Sequence, residues 1–141
     1  MRRTLLFVLA MLLLVACGDS ISDSPPEPVL NTTAHSESDA TWSGKGRASD
    51  ISWRFLDLNH ISYQLTWTNL DPSRAVNVHW ALHFVDHAGF EIFKSSGTSK
   101  IIPAASSRAV QDIINTWPTF TNLDLASQIT KMEVWASFTF D

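Results

Sequence analysis

The chain is predicted to fold as one two-sheet antiparallel β-sandwich of about seven strands, and three observations carry that expectation. Large apolar residues recur with period two over Ile61–Trp67, Val76–Phe84 and Met132–Phe140, which turns one face of each run to a core and the other to water. Turn-forming residues separate those runs, and no stretch holds a helical period beyond a single turn. The length agrees, because 141 residues, less an export segment and a polar stalk, leave roughly a hundred for one core. The domain is placed at 41–141.

From the N-terminus, Met1-Arg-Arg-Thr4 is a short basic start and Leu5 to Val15 an unbroken apolar run. A run of about eleven residues is too short to cross a ~30 Å hydrocarbon layer as a helix, so residues 1–16 read as a signal peptide. Residues 17–40 follow as a flexible linker rich in Ser, Asp, Glu, Pro and Thr, with Pro25-Pro26-Glu27-Pro28 at its centre. Such a composition buries too little apolar surface to offset its ordering entropy. As a tether it spans ~25 to 30 Å root-mean-square.

Within the domain, Ser43–Ala48 and Ile51–Leu56 are two weaker strand candidates. Ile61, Tyr63, Leu65 and Trp67 alternate with Ser62, Gln64 and Thr66 in a half-buried strand, and Val76–Phe84 repeats the pattern as the central one. Asp86-His87-Ala88-Gly89 supplies a turn, since Asp bonds its own backbone two residues on and Gly accepts a positive φ. Phe90–Phe93 then pairs back as a hairpin. A short strand ends at Ile101-Ile102-Pro103, another covers Ser107–Ile114, and Asn122 caps a single helical turn before Gln128. Thr130–Phe140 closes the chain with Met132, Val134, Ala136, Phe138 and Phe140 on one face.

Charge and cysteine content narrow the function. Arg2 and Arg3 leave with the signal peptide, so 8 of the 10 basic residues remain against 14 acidic ones. That excess of acid disfavours nucleic acid, whose binding rests on neutralising phosphates, and no polybasic membrane patch is present. The single cysteine, Cys17, leaves the domain without disulfides or a thiolate metal site.

Leu14-Val15-Ala16-Cys17-Gly18 resembles the lipobox of bacterial lipoproteins. The resemblance implies that the Cys17 sulfur takes a diacylglycerol and that cleavage makes Cys17 the first residue of the mature chain, anchored in a bilayer. Asp directly after the Cys favours inner-membrane retention in enterobacterial lipoproteins. Gly18 therefore implies the outer membrane, facing the periplasm.

The run Val76-Asn-Val-His-Trp-Ala-Leu-His-Phe-Val-Asp86-His-Ala-Gly89, with Ile101-Ile-Pro103 and Ser107–Ile114 after it, resembles the FxLYD-type, immunoglobulin-like domains of envelope lipoproteins and is similar to the small YcfL-like lipoproteins. The Tyr-Asp of the first motif is Val85-Asp86 here. The resemblance implies an immunoglobulin-like sandwich and brings no catalytic residues.

No constellation for catalysis emerges, and the chain is not expected to be an enzyme. No Ser lies in a Gly-x-Ser-x-Gly elbow, and Asp57, Asp71, Asp86 and Asp124 fall where turns are expected. Lys45 in Gly44-Lys-Gly-Arg47 lacks the spacing of a phosphate loop. His79 and His83 share a strand face four residues apart, ~13 Å, too far for one ion. His60 and His83 approach one another only if their strands are neighbours, and the pair lacks a third ligand. No metal or cofactor is expected.

What remains is aromatic. Trp135 falls beside Glu133 on the face away from the core, and Trp117 precedes Pro118-Thr-Phe120 in a loop, so Trp117, Phe120 and Trp135 are the candidate partner surface. The expected function is a lipid-anchored envelope adaptor or accessory subunit that binds another envelope protein. The alternative is a lipoprotein that binds a small ligand or glycan, with the tryptophans as stacking platforms.

Overall fold

The computed structural model describes residues 27–42 and 44–140. The signal peptide, Cys17 and the first part of the expected linker lie outside them. Strands β1 (His35–Ser36), β2 (Ala40–Trp42), β3 (Gly46–Asp57), β4 (His60–Asn69) and β7 (Ser107–Asn115) make one antiparallel sheet, in the order β1-β3-β4-β7 with β2 also on β3. Strands β6 (Glu91–Thr98), β5 (Val76–Val85) and β8 (Lys131–Phe140) make the other, with β5 in the middle. The two antiparallel sheets form the expected sandwich.

The alternating runs behave as their period dictates. In β4, Ile61, Tyr63, Leu65 and Trp67 are all buried, and in β5 Val76, Val78, Leu82 and Phe84 are fully enclosed. The space between the sheets is filled by aromatic rings: Trp53 meets Phe84 edge-on at 5.5 Å and Phe55 at 6.1 Å. Such pairs add ~0.5–1.5 kcal/mol each beyond the area they bury.

The two weak N-terminal candidates are one strand. A bulge between Ser49 and Ser52 puts Asp50 at φ 54, a left-handed conformation that Asp tolerates. Ala48 and Ile51 are thus both buried although three residues apart, which breaks the period of two and splits the pattern. The strand expected at Ile101–Pro103 reduces to an isolated bridge between Ile102 and Val76, because Pro103 has no N–H to extend it. The Asp86 turn forms as expected: its carboxylate accepts from Ala88 N and Phe90 N, and Gly89 has φ 84. Helix α1 is the single turn Leu123–Ala126, with the Asn122 side chain accepting from Asp124 N.

The linker expectation needs correction from Leu30 onward. Leu30 packs on the core, Asn31 O accepts from Phe55 N, and the chain runs down the flank of β3 as β1 and β2. This strap is held by Glu37, whose Oε1 accepts both Trp53 Nε1 (2.8 Å) and Met132 N (3.0 Å) and so ties the two sheets together. His35 stacks on the Trp53 ring at 5.0 Å. Polar composition hid this segment because, between Leu30 and Trp42 that pack on the core at its two ends, its order comes from one carboxylate and a borrowed sheet edge.

The opposite end is fixed by two further contacts. Asn69, 1% exposed, donates to Arg74 O, Ile102 O and Pro103 O and accepts from Asp71 N, which closes the loops there. The Phe138 ring lies directly on Gly46, where an added Cβ would sit 2.1 Å from it.

Candidate functional site

The structure does not bring the three expected aromatics together. Phe120 is 1% exposed and packs against Phe55 at 6.0 Å and Phe93 at 5.6 Å, so it is a core residue that plugs one end of the sandwich. Its place in a Pro-containing loop suggested a surface, but the loop folds inward and buries it. Trp117 is 63% exposed just beyond the end of β7, in the first sheet's half of the molecule. Trp135 is 59% exposed on the outer face of the second sheet. The surface that survives is the one around Trp135.

Strand β8 pairs with β5 along one side only. On β5, Val76 N and O bond Ile102, and Val78 O accepts from Ser99 N, so the even-numbered backbone groups of β5 turn toward β6. Its odd-numbered groups therefore face β8, where Ala81 is paired with Trp135 and His79 with Ser137. The even-numbered groups of β8 point to the open side, as Met132 N does when it meets Glu37. Among the described residues, nothing occupies the outward N–H and C=O of Val134, Ala136 and Phe138.

Proteins blunt such edges with charge, proline or bulges. The edge strand β6 carries Glu91, Lys94 and a bulge opposite Phe84/Val85, and β7 carries Arg108 and Asp112. From Val134 to Phe140, β8 has no charged residue, no proline and no bulge in its pairing with β5. The strap lies close beside this stretch: Glu37–Ala40 and Lys131–Trp135 line a shallow cleft, and Trp42 packs on Phe138 at 5.9 Å.

Side chains on the outer face hold Trp135 in place. Its ring lies 4.8 Å from that of His83, and His83 Nδ1 bonds Glu91 Oε2. Glu133 lies between Lys131 (2.9 Å) and Trp135 Nε1 (3.5 Å). The bond to Lys131 holds the Glu133 carboxyl below its ordinary range, and the same bond raises Lys131. Both groups are solvated, so the pair orients more than it stabilises. Beside the Trp ring, His79, Ala81 and Ser137 make a shallow shelf.

The remaining histidines are dispersed. His60 lies on β4 and His83 on β5, in different sheets, so the strands are not neighbours and the pair never forms. His60 instead bonds Asp57 at 2.9 Å across its turn, and His79 Nδ1 lies 3.1 Å from Thr98 Oγ1. No three His, Cys, Asp or Glu residues converge among the described residues. The turn aspartates do what turns require: Asp71 caps Ser73 N and Arg74 N, and these bonds with the Arg74 guanidinium hold its carboxyl far below the usual range.

Sequence reasoning missed Glu37, which carries no signal beyond being an acid in a polar stretch. It also missed the bareness of the β8 edge, which is written in the composition of 134–140 but takes meaning only once β8 is known to be an edge.

Fold and site together define a two-sheet β-sandwich whose β8 edge, among the described residues, keeps unbonded backbone groups from Val134 to Phe138, with a braced tryptophan beside it. No protein-family profile matches the chain, and no curated protein is significantly similar to it. Among solved structures, it is similar to a DUF1425 family member from Shewanella sp. pv-4, at 9% identity and a TM-score of 0.41, over 72% of this chain and 95% of that one.

Proposed function

We propose that this chain is an exported lipoprotein of the bacterial envelope, acylated at Cys17 and held at the outer membrane facing the periplasm, that acts as a protein-binding adaptor. The observation that carries the binding part is the edge of β8, where the outward Val134, Ala136 and Phe138 backbone groups bond nothing among the described residues beside an exposed Trp135. An extended segment of a partner adds there as a further strand, main-chain bonds supplying affinity and Trp135 gripping a side chain. The immunoglobulin-like and YcfL-like resemblance fits this role, as does the lipobox at Cys17.

Ala136→Pro tests the reading, because the Ala136 N–H faces the open side and its loss removes a donor to the partner without breaking a bond to β5. The variant is expected to keep its melting temperature within a few degrees and to lose the partners that the full-length protein retains after mild cross-linking of membranes. Retention of every partner by both Ala136→Pro and Trp135→Ala rules the reading out.

A second reading, a glycan- or small-ligand-binding lipoprotein, draws on the same Trp135 ring, braced by His83 and flanked by the His79 and Ser137 shelf. The two readings separate cleanly. A stacked sugar is lost with Trp135→Ala and kept by Ala136→Pro, whereas a paired strand is lost with both.

A further inference from the structure

The exposed apolar residues are unevenly distributed between the two ends of the sandwich. Strands β3, β5 and β7 finish, and β4, β6 and β8 begin, at the end plugged by Phe120, which touches Phe55 of β3 and Phe93 of β6. At that end Trp117, Phe90 (73% exposed), Leu123, Leu125 and Val29 stand out in solvent, whereas Leu70 and Ile101 are the large exposed hydrophobics of the far end. The N-terminal segment also emerges at the apolar end, since Asn31 bonds Phe55 and Val29 lies just before it. Any anchor at Cys17 therefore pulls on this end.

Distance sharpens the point. With the strap docked, residues 18–26 separate Cys17 from the first described residue, and ten chain steps reach at most ~35 Å. Strand β3, with 12 residues, is ~40 Å long. The tether is shorter than the domain, so contact between this end and the bilayer is an intramolecular event at high effective concentration.

Charge chooses the lipid. Asp57, Asp86, Glu91 and Asp124 ring the apolar end, where Lys131 is paired with Glu133, while Lys45, Arg47, Arg74 and Lys100 lie at the far one with Asp71. An acidic rim is repelled by anionic headgroups and tolerated by zwitterionic ones. Tryptophan favours the headgroup region, where its ring sits between water and hydrocarbon, and phenylalanine and leucine beside it insert at the headgroup–acyl boundary.

We infer that the end bearing Trp117, Phe90, Leu123 and Leu125 rests on a zwitterionic phospholipid surface, with the bare β8 edge standing upright from it. This inference rests on the acylation of Cys17 proposed above, and adds a docked orientation to it.

The test uses the full mature chain, its Cys17 modification verified by mass spectrometry, reconstituted in vesicles of phosphatidylcholine with brominated acyl chains. Tryptophan fluorescence is expected to be quenched, Trp117→Phe to lose most of that quenching, and Trp135→Phe to retain it. Phe90→Ser, with Trp117 present, weakens the quenching independently, and replacing half of the lipid with phosphatidylglycerol reduces it. An unmodified Cys17 overturns the docking together with the anchoring. Acylated protein whose quenching ignores Trp117→Phe overturns the docking alone, as does quenching that grows with anionic lipid, which assigns the basic end instead. A photo-crosslinker at position 117 that joins a protein rather than lipid in native membranes also overturns it.

Discussion

Two flanks of the sandwich face the same solvent and are treated in opposite ways. The flank of β3 is closed by the chain's own strap, with β1 and β2 paired to it and Glu37 bonding both Trp53 and Met132. The flank of β8 receives that single bond at Met132 and the Trp42 ring against Phe138, and the outward backbone groups of Val134, Ala136 and Phe138 bond nothing among the described residues. Closing an edge with a few polar residues was evidently within reach of this sequence. An edge whose backbone groups stay unbonded next to a closed one is the physical ground on which the proposed adaptor reading rests.

The comparison predicts a graded series of effects. The largest belongs to the closed flank: Trp53→Ala removes a ring that is 1% exposed, stacked under His35 and bonded to Glu37, and should cost ~3–5 kcal/mol in chemical denaturation. Next comes Glu37→Ala, which strands the Trp53 N–H and should cost ~1–3 kcal/mol. It should also release the strap to limited proteolysis between Asn31 and Trp42, while Glu37→Gln, keeping an acceptor oxygen, restores much of the protection. A strap that stays protease-resistant in Glu37→Ala would remove the claim that this carboxylate closes the flank.

A smaller effect appears at alkaline pH. Tyr63 is pushed up to about 12, first by burial and then by the charge of Asp112 opposite it on β7. Its folded-state pKa lies above the unfolded value near 10, so the contribution is complete below about pH 10 and is lost as pH rises toward 12. Stability measured between pH 9 and 12 should fall less in Tyr63→Phe than in the parent. The smallest effect falls on the open flank. Trp135→Ala should change stability by no more than ~0.5 kcal/mol, while abolishing partner or ligand retention. A large loss of stability there would make Trp135 a structural residue and end its role as a contact.

Where the sequence could be read and where it could not follows from which interactions are local. Strands β4, β5 and β8 were legible because each presents its own alternation, and Trp135 was correctly turned outward by its parity with Glu133. The Asp86 turn and the Asn122 cap were legible for the same reason, being completed within four residues. The strap was not legible, because its order depends on Trp53 and Met132, 16 and 95 residues away from Glu37. Phe120 was misread as surface because loop composition says nothing about which way a loop folds. The β3 bulge defeated the pattern by shifting the parity of Ile51 relative to Ala48.

The contact between Gly46 and Phe138 has a consequence for how such sequences can vary. The ring occupies the volume that any side chain at position 46 needs, and it is itself wedged between Trp42 at 5.9 Å and Trp67 at 6.1 Å. The two positions are thus coupled. Relatives that keep an aromatic at 138 must keep glycine at 46, and those that admit alanine or serine at 46 should have traded the ring for a smaller residue, so the pair should vary together where its neighbours vary alone.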